Sequence, residues 1–323
     1  MSEPAARATS MRIAILDDYQ NVATSLADWG SLGAEVVVFT EPFADADEVV
    51  RSLAGFDTLV AMRERTRFPA DVLERLTDLR LLISTGTANA AIDLAAAHRL
   101  GITVCGTRYE SHPTIEHTWA LILGAARNLV AEAESMRTGG WQVSLGEGLH
   151  GKTLGLLGLG RVGSGVARVG QAFGMDTIAW SQNLTSEAAA EHGVRAVTRE
   201  QLFAESDVLS IHVLLSRRTR GLVGAAELRS MKPSALLVNT SRGPIVDEAA
   251  LIDVLREGGI RTAALDVYDT EPLPADHQLR SLPNALLTGH VAYVSRDLYE
   301  TFYQDSVEDI AAFQAGSPIR LMA

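Results

Sequence analysis

Three glycines and three scattered polar side chains carry the chemical promise of this chain. Gly158-Leu-Gly160-Arg161-Val162-Gly163 follows an apolar run and opens an apolar-periodic stretch from Val162 to about Phe173. A strand, a glycine turn and a helix in that order bring backbone N–H groups and the positive end of a helix dipole to one point, where a pyrophosphate binds. The first glycine serves the tight turn, the second the close approach of backbone to phosphate, and the third the packing of helix on strand. The string alone also occurs as a purely structural turn; the strand before it and the helix after it favour a dinucleotide. The second set is Arg242 in Asn239-Thr-Ser-Arg-Gly-Pro-Ile-Val-Asp247, Glu271 in Asp266-Val-Tyr-Asp-Thr-Glu-Pro272, and His290 in Leu287-Thr-Gly-His-Val291. Each follows the C-terminal end of an expected strand, the address at which open parallel sheets hold their ligands. One such residue in a loop is ordinarily a solvated surface group. Three at a common address behind a nucleotide fold read as a joint site.

The acidic residue that binds a ribose 2′-hydroxyl is expected about 20 positions beyond the glycines, at the end of the next strand. That place is held by Ser181 in Ala179-Trp-Ser-Gln-Asn183. Serine can hydrogen-bond a 2′-hydroxyl but lacks the charge that repels a 2′-phosphate, and no arginine lies nearby in sequence to attract one. NAD(H) and NADP(H) both remain open as cofactors, with NAD slightly favoured. A competing phosphate-loop string runs from Gly146 to Gly151-Lys152-Thr153. It would need a helix beginning at Lys152-Thr153, where the pattern instead enters an apolar strand, so it reads as a turn.

These residues require an α/β frame, and the chain supplies one. Its 323 residues, 47% hydrophobic and 21% charged, suit a soluble globular protein of about two domains. From Met11 onward, short β-branched or Leu-rich runs alternate with longer amphipathic ones, the pattern of parallel strands joined by helices. Strands are expected at Arg12 to Leu16, Glu35 to Val38, Thr58 to Met62, Leu81 to Ser84 and Ile102 to Val104. A long helical stretch follows His112, with Thr114 as its N-cap, and stops at Gly139-Gly140. A second series has strands near Leu154 to Gly158, Thr177 to Trp180, Val208 to Ile211, Leu236 to Asn239, Ala263 to Val267 and Ala285 to Thr288, before a last helix at about Arg296 to Gln314.

Composition narrows the partners. Lys plus Arg number 28 against 40 Asp plus Glu, a net charge of -12 that repels a phosphate backbone, so no nucleic-acid partner is expected. The longest apolar runs fall short of the roughly 18 residues of a membrane helix, so no membrane association is expected. The first ten residues lack a secretory pattern and read as a flexible tail. One cysteine, Cys105, fits a reducing cytoplasm. His112 and His117 are five apart and off a common helical face, and no zinc motif occurs, so no metal is expected. Cys105 reads as a packed side chain, and His212 as a structural residue ending a strand.

Gly151-Lys-Thr-Leu-Gly-Leu-Leu-Gly-Leu-Gly-Arg-Val-Gly163, Ser206-Asp-Val-Leu-Ser-Ile-His212, Met231-Lys-Pro through Val238-Asn-Thr-Ser-Arg-Gly243, Ala264-Leu-Asp-Val through Glu271-Pro272, and Ser84 to Asp93 together resemble the D-isomer-specific 2-hydroxyacid dehydrogenases. Phosphoglycerate-, glycerate- and hydroxypyruvate-linked enzymes are members. The resemblance covers nearly the whole chain after residue 11. It implies two doubly wound parallel-sheet domains, a Rossmann nucleotide-binding domain (108–289) inserted into a flavodoxin-like substrate domain (1–107 and 290–323). It implies that Arg242 grips the carboxylate of a 2-keto acid and polarises its keto oxygen, and that His290 protonates that oxygen while Glu271 holds the other imidazole nitrogen. A guanidinium suits a planar carboxylate, and a carboxylate partner favours the charged histidine. Arg161, Val162, Val213, Thr240 and Asp266 would line the cofactor, backbone amides around Gly86 and Thr87 would bind the substrate carboxylate, and the helical stretch after His112 would form a homodimer.

Three departures from the family pattern stand out. Gly289 replaces the Pro that often precedes the histidine, a change expected to loosen the backbone aiming the imidazole. Leu214 replaces a Pro after His212, and Ser181 replaces the acid. Arg63, in Ala61-Met-Arg-Glu-Arg-Thr66, occupies a place where phosphoglycerate-type members contact substrate; it reads either as a second anion-binding group or as a surface arginine in a charged turn. The expected activity is hydride exchange between a nicotinamide cofactor and a 2-keto acid or D-2-hydroxy acid. The alternative is a corepressor-like NAD(H)-sensing protein of the same fold.

Overall fold

Strands buried on both faces read as unbroken apolar runs, and this chain forms them at nearly every expected place. The structure is a computed structural model that describes residues 11–322, so the expected N-terminal tail lies outside the described residues. The chain divides at Glu110/Ser111 and Val294/Ser295 into two compact units. The sequence had suggested crossings at 107/108 and 289/290; the structural division leaves His290 in the same unit as Glu271 and Asp266.

The first unit is a parallel sheet of β1 (Arg12–Ile15), β2 (Glu35–Val38), β3 (Thr58–Ala61), β4 (Leu81–Ser84) and β5 (Thr103–Gly106), in the order β2-β1-β3-β4-β5. Ala14, Leu59, Ala61, Leu82 and Val104 of the sheet pack against Val49, Leu53, Val72, Leu73, Ala96 and Ala97 from the connecting segments. The helix Arg296–Gln314 returns to this unit, N-capped by the Ser295 hydroxyl, and buries Leu298, Phe302, Tyr303 and Ile310. The strand order reverses between β1 and β3, and Arg63 follows β3 on the ligand-bearing side of such a sheet.

The second unit holds β6 (Thr153–Leu157), β7 (Asp176–Trp180), β8 (Arg195–Ala196), β9 (Val208–Ile211), β10 (Leu236–Asn239), β11 (Thr262–Leu265) and β12 (Ala285–Leu287). All pair parallel, in the order β12-β11-β10-β9-β6-β7-β8. The order reverses between β6 and β9, which is where the glycine turn leaves the sheet. Three local expectations are corrected. The helix after the crossing begins at His112 with Ser111 in the N-cap position, not Thr114, because Pro113 suits a first turn whose N–H groups lack intrahelical partners. It is broken into His112–Ala126 and Leu129–Arg137 by Asn128 at φ 50. The two-residue edge strand β8 was too short and polar to register. Lys152-Thr153 leads into β6, so the competing phosphate-loop string has no helix to serve it. Among the described residues no helix is long and apolar enough to cross a membrane.

Candidate active site

Gly158, just beyond β6, has φ +101, a conformation open to glycine and costly for other residues. A Cβ on Gly163 would stand 2.2 Å from the Gly158 carbonyl oxygen, so helix and turn touch only because both lack side chains. Gly160, with nothing within 4 Å of its own Cβ position, caps the helix Arg161–Ala172 without a side-chain acceptor. The N–H groups of Arg161, Val162 and Gly163 therefore open the helix with no intrahelical partner. This cradle fits a dinucleotide pyrophosphate. Ser181 follows β7 directly and is half-buried. The Val213 carbonyl accepts the Ser241 hydroxyl at 2.6 Å, which ties the loop after β9 to the loop carrying Arg242. Thr240 is buried, its hydroxyl 2.8 Å from that of Thr118, whose own hydrogen goes to the Thr114 carbonyl at 2.7 Å. Burial pushes the His212 imidazole down to about 4, so it is neutral, 2.9 Å from the Ser210 hydroxyl.

The loop after β10 is folded by buried Asn239, whose amide nitrogen donates to the Arg242 carbonyl and whose amide oxygen accepts the Ser241 N–H, both at 3.0 Å. Gly243 lets this loop lie on the next one, since a Cβ there would meet the Tyr268 backbone at 2.1 Å. The half-buried Arg242 side chain donates to the Ser241 carbonyl at 2.7 Å. The Tyr268 N–H in turn donates to Glu271 Oε1 at 2.9 Å, and Glu271 Oε2 lies 2.6 Å from His290 Nδ1. A carboxylate in that position accepts from Nδ1–H, which assigns the tautomer and leaves Nε2 as the nitrogen for proton exchange. The Tyr293 ring meets the imidazole edge-on, with centroids 5.7 Å apart.

Asp266 is bound from within the fold. Its carboxylate is fully buried and turned inward: Oδ1 accepts the Thr288 hydroxyl at 2.6 Å and the Val291 N–H at 2.9 Å, and Oδ2 accepts the Ala292 N–H at 2.9 Å. Burial alone would raise this carboxyl, but these hydrogen bonds and His117 outweigh it and hold the group below its ordinary value. Asp266 therefore anchors the His290 loop. The expected loosening at Gly289 is countered by the same anchor, which fixes the chain on both sides of His290.

In the first unit, Arg63 is no loosely solvated surface residue. Its backbone is held at φ 53, its N–H donates to the Thr85 hydroxyl at 2.9 Å, its carbonyl accepts the Asn89 amide at 2.7 Å, and its guanidinium lies 5.1 Å from the Tyr109 ring centroid. Gly86 at φ +99 makes room for that guanidinium. The Gly86 N–H already donates to the Thr107 hydroxyl at 2.7 Å, so Gly86 does not offer the anion-binding amide expected of it, whereas Thr87 is exposed. Cys105 is buried and its thiol is pushed up to about 12 by burial, which makes it unreactive. Among the described residues no group of three His, Cys, Asp or Glu side chains could hold a metal ion.

The NAD binding domain of the D-isomer specific 2-hydroxyacid dehydrogenases matches residues 119–292. The chain belongs to that family. It is a nicotinamide-nucleotide-dependent D-2-hydroxyacid dehydrogenase that takes NAD(H) or NADP(H), and the sensor alternative is not favoured. It is 42% identical over 260 residues to a glyoxylate reductase from Aeropyrum pernix, covering 77% of this chain and 78% of that protein. It is 35% identical over 284 residues to a glycerate dehydrogenase from Methylorubrum extorquens, covering 84% and 87%. Among solved structures, phosphoglycerate oxidoreductase from Vibrio cholerae O395 superposes with a TM-score of 0.91 at 38% identity, covering 95% of this dehydrogenase and 100% of that chain.

Proposed function

We propose that this dehydrogenase reduces a short 2-keto acid to its D-2-hydroxy acid, and catalyses the reverse, with His290 as the acid and base, Glu271 as its partner and Arg242 as the carboxylate ligand. The observation that carries the reading is the 2.6 Å contact between His290 Nδ1 and Glu271 Oε2, with Glu271 Oε1 held by the Tyr268 N–H. A carboxylate anchored at one oxygen presents the other at a fixed angle, so the imidazole has one orientation and one favoured tautomer.

The residues divide the work as follows. Arg242 meets the planar carboxylate with two parallel N–H donors and draws charge from the keto oxygen as it becomes an alkoxide. His290 Nε2 gives that oxygen a proton, and Glu271 stabilises the imidazolium present before the transfer. In the reverse direction the neutral imidazole takes the hydroxyl proton. The dihydronicotinamide, when bound, supplies the hydride that reaches the keto carbon. The helix start at Arg161, Val162 and Gly163 holds the pyrophosphate, Ser181 meets the adenosine ribose, and Val213 and Thr240 shape the nicotinamide end. The unit containing the glycine turn is the cofactor domain, and in the other unit Arg63 and the Thr87 amide are the groups suited to an anionic ligand. Reduction of glyoxylate is favoured, in line with the relatives named glyoxylate reductase, with hydroxypyruvate as the second candidate.

Exposed apolar side chains in neighbouring segments support a homodimer. The helix Leu129–Arg137 buries none of its residues within the chain, and the segment after it exposes Trp141, Val143 and Leu145. A second copy of the chain would cover this surface.

The test follows NADH and, separately, NADPH oxidation with glyoxylate, hydroxypyruvate, pyruvate and phenylpyruvate. His290→Ala is expected to lose at least about a hundredfold in kcat while binding cofactor normally. Turnover that survives in His290→Ala would remove it as the proton donor. The ratio of the two cofactor rates reads out what Ser181 selects.

A further inference from the structure

We infer that His117 is a positioning residue for His290, acting through Thr288 and Asp266; this deepens, and rests on, the reading of His290 as the proton donor. His117 projects from the helix His112–Ala126, and its Nε2 lies 3.1 Å from the Thr288 hydroxyl and 3.5 Å from Asp266 Oδ1. The Thr288 hydroxyl has one hydrogen, and its 2.6 Å contact with the Asp266 carboxylate consumes it. Thr288 must therefore accept from His117, which fixes Nε2 as the protonated nitrogen of that imidazole. The chain of donors runs in one direction, from His117 to Thr288 to Asp266.

That chain ends on the backbone that aims the active histidine. His290 lies between Thr288 and Val291, and Asp266 Oδ1 binds both the Thr288 hydroxyl and the Val291 N–H while Oδ2 binds the Ala292 N–H. His290 itself is held at φ 55, a left-handed conformation that a non-glycine residue keeps only when its surroundings impose it. Gly289 contributes no side chain, and even a Cβ there would meet nothing within 4 Å. Asp266 supports this backbone together with the Thr288 carbonyl, which accepts the Tyr268 hydroxyl at 2.7 Å, while Glu271 holds the ring. Losing the His117 donor leaves the Thr288 hydroxyl held by Asp266 alone, with one of its two hydrogen bonds gone. One of the two fixings that flank His290 is then weakened.

Three variants test this with glyoxylate as substrate. His117→Phe keeps the ring volume and removes the donor; His117→Gln restores an N–H at similar reach; Thr288→Val keeps the shape and breaks the link. The expectation is a kcat lower by about tenfold or more in His117→Phe and Thr288→Val, with the KM for glyoxylate and the NADH dissociation constant within about twofold of wild type. His117→Gln is expected to recover most of the loss. Wild-type kcat in His117→Phe or in Thr288→Val overturns the inference. So does equal impairment of His117→Phe and His117→Gln, which would mark the ring as packing alone. His290→Ala separates the two levels: if it keeps its turnover, the proton-donor reading falls, whereas an inactive His290→Ala beside an unaffected His117→Phe removes only the role of His117.

Discussion

Replacing Glu271 by Gln exchanges one oxygen for an NH2 group and leaves size and shape almost unchanged. The Gln carbonyl can still accept the Tyr268 N–H that holds Glu271 Oε1 at 2.9 Å, so the side chain stays in place with its nitrogen toward His290. Across the former 2.6 Å contact two donors would then face each other whenever Nδ1 carries a proton. A hydrogen bond between charged groups contributes about 1.5–3 kcal/mol. The His290 and Glu271 side chains keep 24% and 32% of their exposure, so water screens part of that interaction and the lower half of the range applies. A loss of about 1.5–2 kcal/mol from the protonated donor corresponds to a kcat lower by about ten- to thirtyfold. KM is expected to change little, because Glu271 has no proposed contact with substrate. The assay is steady-state NADH oxidation at saturating keto acid and fixed pH, with Glu271→Asp as a variant that keeps the charge and lengthens the gap. A kcat for Glu271→Gln within twofold of wild type would refute the reasoning, since the pair would then exist without bearing on the reaction.

Two further outcomes follow from the geometry. Gly163→Ala is expected to lower NADH affinity by at least about tenfold and to destabilise the protein by about 1–3 kcal/mol, because its Cβ would be driven into the Gly158 carbonyl 2.2 Å away; titration by nicotinamide fluorescence with thermal melting checks both, and unchanged affinity would contradict the close packing. Asp305 is fully buried, and although burial pushes its carboxyl up, hydrogen bonds from the Arg108 side chain and N–H and the charge of Arg320 hold it below its ordinary value. A folded-state value below the unfolded one gives stability that is complete above the ordinary carboxylate range and is lost as pH falls through the folded value. Asp305→Asn is therefore expected to cost about 1–3 kcal/mol at neutral pH, a gap that narrows in acid; denaturant titrations in which the gap stays constant down to pH 3 would contradict it.

Much of this fold is legible in the chain because its signals are local. Leu236–Asn239, Val208–Ile211 and Leu81–Ser84 form at their expected bounds, since central parallel strands need apolar residues on both faces. Gly158, Gly160 and Gly163 are readable because their spacing meets a requirement set within a few residues. The break at Asn128 gave no comparable signal, because residues compatible with a helix stand on both sides of it. Arg242, Glu271 and His290 could be nominated from their address after strands, but their order of support could not: the grip of Tyr268 on Glu271 and of Gly243 on Tyr268 depends on how adjacent loops stack.

The sequence by itself determined the α/β class, the strand and helix periods, the dinucleotide turn and the residues able to exchange a proton or hold a carboxylate. Only the tertiary structure decided what holds them. Asp266 anchors the His290 loop, Gly86 spends its N–H on Thr107, and Arg63 is fixed at both ends of its peptide. His117 meets Thr288 across 171 positions of sequence. Periodicity and spacing record what neighbours along the chain require of one another. A hydrogen bond between distant residues is set by where the sheet order delivers their strands and helices, and the residues themselves carry no mark of it.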